Sequence, residues 1–229
     1  MDKKRGIFYA VGVGPGDPEL MTRKACRVLA DCPVIAAPRT KNGHMLALEI
    51  AKQAVELEDK TILPLDFTMA QDEKTRKESY RAAALLAEER LLEGKDVAMV
   101  NLGDVSLFAT AFYLLEIIRE DGFETVMLPG VMSISAVAAR LGRSLTKIDA
   151  PFHILPGTMP LDEALRLDGT KVIMKSGRAV QEAIDALARA NLLDRAAMVA
   201  NCGLPGEQVF YDLRCVPADV SYFATIVVG

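Results

Sequence analysis

In its first half the chain alternates short, almost wholly apolar runs with stretches of helical periodicity, and that alternation leaves few folds open. The runs IFYAVGVG, VIAA, TILPLDF, DVAMVNL and TVMLPG read as strands. The first helical stretch, ELMTRKACRVLADC, sets Met21, Ala25, Val28 and Leu29 on one apolar stripe. The clearest helix runs from Glu73 to Leu92, with Gly94 just past its end. Strands that are apolar on both faces must be covered on both faces, so the alternation predicts a parallel sheet between helical layers.

After Pro129 the pattern changes. A helix pattern at SISAVAARLG leads into the strand-like FHILP, KVIMKS and AAMVANCG, with a helix from about Arg178 to Ala190. EQVFYDL and YFATIVVG then follow with short loops and no helix between them. Strands without a crossover helix pair antiparallel or lie apart. The expectation is an α/β chain of two αβα domains, 1–129 with a mostly parallel sheet and 130–229 with a mixed sheet. At 229 residues there is enough chain for both.

Three turns at strand ends concentrate the residues suited to chemistry. In YAVGVGPGDPEL, Gly12, Gly14 and Gly16 permit tight turns and close approach, Asp17 can cap the following helix, and Pro18 suits its first turn. The spacing matches neither the dinucleotide G-x-G-x-x-G nor the phosphate-cradling G-x-x-x-x-G-K-[ST], so the turn marks a ligand near a strand end without naming it. In NLGDVSLFAT, Gly103 lets a ligand approach the backbone. Asp104 there can accept hydrogen bonds from an amine or from ribose hydroxyls, or else Asp104 or Ser106 simply caps a helix. In PGVMSIS, Ser133 and Ser135 cap a helix or bind a ligand.

Composition removes several classes. A net charge of −4 with no basic run gives no reason to expect nucleic acid. No window approaches 18 uninterrupted apolar residues, so no membrane span is expected. The opening MDKKRG precedes an apolar run that glycines and an acidic turn soon interrupt, with no small-residue cleavage pattern, and a cytoplasmic location is expected. Cys26, Cys32, Cys202 and Cys215 lack C-x-x-C spacing and read as buried thiols, with Cys202 alone in a loop that faces a ligand. His44 and His153 belong to no motif, so neither a metal centre nor a Ser–His–Asp site is expected.

Taken together, YAVGVGPGDPELMTRKA, LGDVSLFAT, LPGVMSISAVAARLG and the closing FATIVVG resemble the tetrapyrrole methylase family, the class III S-adenosylmethionine-dependent methyltransferases. Within it, PLDFTMAQDEKT, GKDVAMVNLGDVSLFAT, AARLGRSL with HILPG, and VIMKSGR look like the members that methylate C20 of precorrin-2 or cobalt-factor II. Val105 stands where many members carry proline, and Phe108, where tyrosine is common, offers no hydroxyl for a catalytic role.

The resemblance implies a homodimer with S-adenosylmethionine in a cleft between the two domains and a tetrapyrrole acceptor. The implied donor contacts are Pro15, Gly103, Asp104, Val105, Leu107, Phe108, Ser133 and Ile134. From the second domain come Met174, Cys202, Gly203, Leu204, Thr225 and Ile226, of which Met174, Leu204 and Ile226 would suit the adenine. The acceptor's carboxylates call for cations. Arg39 and Lys41 follow VIAA, and Lys175 and Arg178 lie in VIMKSGR; for exposed cations the plain alternative is a solvated charge.

The implied reaction is in-line displacement of methyl from sulfonium by a macrocycle carbon, with alignment and water exclusion as the main contributions. Asp104, a water or a substrate carboxylate would take the proton lost afterwards. Other readings are a different methylation of the same pathway, a related methylase with a protein or RNA acceptor, and a non-catalytic ligand-binding module. A nicotinamide oxidoreductase would need an acidic residue ending the second strand, where Ala37-Pro38-Arg39 stands.

Overall fold

A computed structural model describes residues 4–68, 72–176 and 179–229. The chain forms two compact units, Met1–Met132 and Ser133–Gly229.

In the first unit β1 (Phe8–Gly12), β2 (Val34–Arg39), β3 (Thr61–Asp66), β4 (Val97–Asn101) and β5 (Thr125–Leu128) form one five-stranded sheet. The order is β3-β2-β4-β1-β5 and every pairing is parallel. The crossovers are α1 (Arg23–Asp31), α2 (Leu46–Ala54), α3 (Glu73–Leu92) and α4 (Thr110–Glu120). On one face Phe8, Ala10, Val34, Ala36, Val97 and Met99 pack against Ala83, Ala84, Ala87 and Leu91 of α3 and Ala111, Leu114, Leu115 and Ile118 of α4. The α4 set is spaced i, i+3, i+4, i+7, the stripe that a core-facing helix requires. Its start at Ala109 has no side-chain cap. A cap is worth about 1 kcal/mol, whereas each fully buried leucine or isoleucine contributes about 1.5–3 kcal/mol, so packing holds α4 in place.

Helix α3 occupies the predicted residues, with the Asp72 carboxylate accepting from the Thr75 amide (2.8 Å) at its start. Asp17 caps a 3-10 turn, Pro18–Leu20, by accepting from the Glu19 amide at 2.9 Å. The cap of α1 is instead Thr22, which accepts from the Ala25 amide at 3.1 Å.

The second unit begins with α5 (Ser133–Leu141) and continues through β6 (Phe152–Pro156), β7 (Thr170–Met174), α6 (Val180–Arg189), β8 (Ala196–Ala200), β9 (Gln208–Phe210) and β10 (Ala224–Val228). Its sheet order is β6-β7-β10-β8-β9. Only β6–β7 is parallel; β10 runs antiparallel to β7 and β8, and β9 antiparallel to β8. The sheet is therefore mixed, as the missing crossover helices require. One face, with Ile173, Met198, Ala200, Ala224, Ile226 and Val228, packs on Val180, Ala183, Ile184 and Leu187 of α6.

The cysteine expectation needs correction. Only Cys32 is buried; Cys26 and Cys202 are half-buried, Cys215 is exposed, and all are free thiols. No described helix is long and apolar enough to cross a membrane.

Candidate functional site

In the first unit the neighbouring strands β4, β1 and β5 end on one edge of the sheet, and the loops that follow them pack backbone on backbone. Val13 donates to the Asn101 carbonyl (2.9 Å), and Gly14 and Gly103 exchange amide–carbonyl bonds at 3.3 and 2.7 Å. A Cβ on Gly12 or Gly130 would run into the Gly103 carbonyl, so this junction closes only because those positions lack side chains. Gly103 differs. Its φ of +74° is left-handed, and a Cβ there would meet nothing within 4 Å. The junction is solid on one side of Gly103 and open on the other.

Asp104 pins the junction. One carboxylate oxygen accepts from the Gly130 amide (2.8 Å) and the other from the Ser106 amide (2.7 Å) and, more closely, the Ser106 hydroxyl. Neither Asp104 nor Ser106 caps a helix, since α4 starts at Thr110. Asp104 is buried, and Val105 points its side chain into the core beneath. Leu107 is half-buried. Phe108 is exposed and holds a φ of 51°, costly for a residue with a Cβ and maintained only where the surroundings demand it. Pro15 is buried beside Gly14.

In the second unit, Ser133 opens α5 half-buried, while Ile134 behind it is buried. Met174 ends β7 opposite Thr225 of β10. Strand alternation turns the Ile226 side chain to the opposite face from Thr225, where it is fully buried in the core cluster.

The turn after β8 is tightly tied. Asn201, at φ 53°, accepts from the Ser221 hydroxyl (2.6 Å) and donates to the Gly206 carbonyl (3.2 Å). Glu207 accepts from the Gly203 amide (2.9 Å) and pairs with Arg140 of α5. Burial, and secondarily the Glu207 charge, pushes the Cys202 thiol up to about 11, so it is no nucleophile at neutral pH. Leu204 is half-buried in the same turn. Neither Asn201 nor Glu207 stands out in the sequence; a non-glycine residue forced to positive φ leaves no compositional mark.

The proposed cations divide. Arg39, the last residue of β2, lies in register with Asp66, the last of β3. They form a two-point pair, Nε–Oδ1 2.9 Å and Nη2–Oδ2 2.6 Å. Lys41 is exposed in the following turn. Lys175 follows β7 at φ 56° and is exposed, while surrounding protein lowers its ammonium from the usual lysine range. Arg178 lies outside the described residues.

Residues 8–214 match the family model described as Tetrapyrrole (Corrin/Porphyrin) Methylases. The chain is 35% identical to the cobalt-precorrin-2 C(20)-methyltransferase of Salmonella typhimurium over 232 residues, covering 98% of this chain and 96% of that one. It is 32% identical over 235 residues to the cobalamin biosynthesis protein CobIJ of Mycobacterium tuberculosis, and spans 45% of that longer protein. Among solved structures it superposes on a uroporphyrin-III C-methyltransferase from Thermus thermophilus complexed with S-adenosylhomocysteine. The TM-score is 0.67 at 21% identity, covering 98% of this chain and 97% of that one.

Proposed function

The chain belongs to the tetrapyrrole methylase family, and from that premise we propose that it transfers a methyl group from S-adenosylmethionine to C20 of precorrin-2 or its cobalt-bearing counterpart in cobalamin biosynthesis. One observation carries this reading: the resemblance to a C20-methyltransferase runs nearly end to end in both proteins.

The residues present fit a methyl donor. Gly103 leaves open space above a rigid backbone junction, and the proposed contacts in the first unit are Pro15, Gly103, Asp104, Val105 through its backbone, Leu107 and Phe108. In the second unit they are Ser133, the Ile134 backbone, Met174, Cys202, Gly203, Leu204 and Thr225. The donor supplies an activated methyl on sulfonium. The new bond forms to a macrocycle carbon as the sulfur–carbon bond breaks, so the protein's work is alignment and exclusion of water. Both Asp104 oxygens already accept hydrogen bonds that hold the loop. We therefore assign the proton released from the methylated carbon to water or to a substrate carboxylate, and give Asp104 the task of keeping Gly103 and Gly130 in place. Arg39, Lys41, Lys175 and Arg178 are the proposed acceptor-side cations.

We read the chain as a homodimer. Tyr80 of α3 and Tyr113 of α4 stack with centroids 5.1 Å apart, and Tyr113 remains half-exposed. Such a half-covered aromatic stack suits burial against a second copy.

The test is incubation with methyl-labelled S-adenosylmethionine and either precorrin-2 or cobalt-precorrin-2, followed by NMR assignment of the new methyl. Label at C20 is expected. Label at another carbon makes the chain a different methylase, and donor binding without turnover on either acceptor makes it a binding module.

A further inference from the structure

The pairing of Arg39 with Asp66 points to a role for a carboxylate that the sequence did not single out. The two residues end adjacent parallel strands at the last position of their register. Carboxyl ends of parallel strands are where α/β sheets bind ligands. The contact uses one edge of the guanidinium, Nε and Nη2, against both Asp66 oxygens at 2.9 and 2.6 Å. A planar guanidinium has a second two-donor edge, Nη1 with Nη2, which matches another carboxylate in the same fork geometry.

Stability does not account for the pair. Its side chains are 40% and 66% exposed, and ion pairs so exposed contribute little to folding. The side-chain hydrogen bond with Arg39 holds the Asp66 carboxyl below its usual range, so the fork stays charged and closed at neutral pH. A free arginine samples many rotamers, and each must be surrendered when a ligand is gripped. One already held by its side edge presents its end edge in a fixed plane.

We infer that Asp66 is a positioning residue for the acceptor: it fixes the Arg39 guanidinium so that the Nη1–Nη2 edge receives a carboxylate of the tetrapyrrole. This rests on the acceptor reading of Arg39 given above. The chemistry recognised is a planar carboxylate on a polyanionic macrocycle.

The test compares Asp66→Ala, Arg39→Met and the double variant by initial rates. Absorbance titration with cobalt-precorrin-2 runs in parallel and reads binding whether or not turnover occurs. Asp66→Ala is expected to raise acceptor KM and Kd by about three- to tenfold, as loss of preorganisation rather than of a contact, with kcat and S-adenosylhomocysteine affinity retained. Arg39→Met should weaken the acceptor more, and adding Asp66→Ala to it should change nothing further. Tighter acceptor binding in Asp66→Ala would make Asp66 a competitor for Arg39 and overturn the inference. An unchanged Asp66→Ala beside a weakened Arg39→Met would overturn it too, leaving the acceptor reading of Arg39 standing. An unchanged Arg39→Met would remove both, and persisting C20 methylation would show that the function itself survives.

Discussion

Gly103 and Gly130 touch across the same junction yet are glycine for different reasons, and substitution separates them. At Gly103 the left-handed φ of +74° penalises a side chain while the space beyond is open. Gly103→Ala should therefore cost only about 1–2 kcal/mol of stability, but it places a methyl where the donor is proposed to lie. At Gly130 a Cβ would strike the Gly103 carbonyl, a backbone atom that cannot swing aside. Gly130→Ala should lose more stability than Gly103→Ala in urea denaturation. By calorimetry with S-adenosylhomocysteine, Gly103→Ala should weaken binding more than Cys202→Ala, which removes a thiol from a half-buried site. Equal donor affinities in those two folded variants would move the donor away from the junction. Among the described residues four non-glycines hold positive φ: Phe108, Lys175 and Asn201 at 51°, 56° and 53°, directly after strands or within the loops that follow them, and Asn191 at 56° just past α6. Asparagine visits this region readily, so the backbone strain of the kind kept at functional sites falls on Phe108 and Lys175.

Between α3 and α4 a buried carboxylate meets an arginine and a second carboxylate. Glu88 of α3 is buried, with Arg81 at 3.3 Å, while Arg81 also pairs closely with Asp121 at the end of α4. Burial first, and the hydrogen bond with Asp121 second, raise the Glu88 pKa against the opposing pull of Arg81. Arg81 first, then Glu88, lowers that of Asp121. A protonated Glu88 donating to an ionised Asp121 fits both directions. Because the folded Glu88 pKa lies above its unfolded value, near 4.3, its contribution is complete below that value. It is lost as pH rises through the folded pKa. Glu88→Gln keeps a donor for Asp121 without a titrating proton. Its stability relative to the natural chain should therefore be similar near pH 4 and rise by pH 8, read from urea midpoints. A difference that does not change with pH would mean that folding leaves the Glu88 pKa unshifted. The elements themselves were largely legible, because their signals are local: Asp72 and Gly94 bracket α3, and unbroken apolar runs mark the strands. Which residues meet was less so. In the sequence Arg39 reads as a cation for the acceptor's carboxylates, and its partner Asp66 becomes adjacent only once β2 and β3 pair in register. For Ile226 and Thr225 the period-2 alternation is in the sequence, but which of the two faces packs on α6 is settled only by the fold, and it is the face that carries Ile226. Asp104 was recognised as important, yet its partner Gly130 lies 26 positions away.

For the whole molecule, the proposed assembly turns on the aromatic row along the first unit. Phe67, Tyr80 and Tyr113 follow one another with centroid spacings of 6.0 and 5.1 Å, and the last two rings are parallel within 4°. The row ends at Tyr113, 50% exposed, with Phe112 beside it 37% exposed. Among the described residues no third ring stacks on the outer side of Tyr113, and a two-fold contact would complete the stack with the same residues from another copy, since an isologous interface sets one patch against itself. A stable interface needs about 800 Å² from each partner, so one ring cannot supply it, but aromatic anchors at its centre would carry much of the affinity. Tyr113→Glu places a charge there on a chain that already carries −4, and two such charges would face each other across the axis. Sedimentation at micromolar concentration should find the natural chain dimeric and Tyr113→Glu shifted toward monomer, with Tyr113→Phe unchanged because it keeps the ring. Dimerisation also makes thermal stability rise with concentration, and that dependence should weaken in Tyr113→Glu while circular dichroism stays native. A natural chain that sediments as a monomer would refute the dimer. A Tyr113→Glu variant as dimeric as the parent would put the interface on another face.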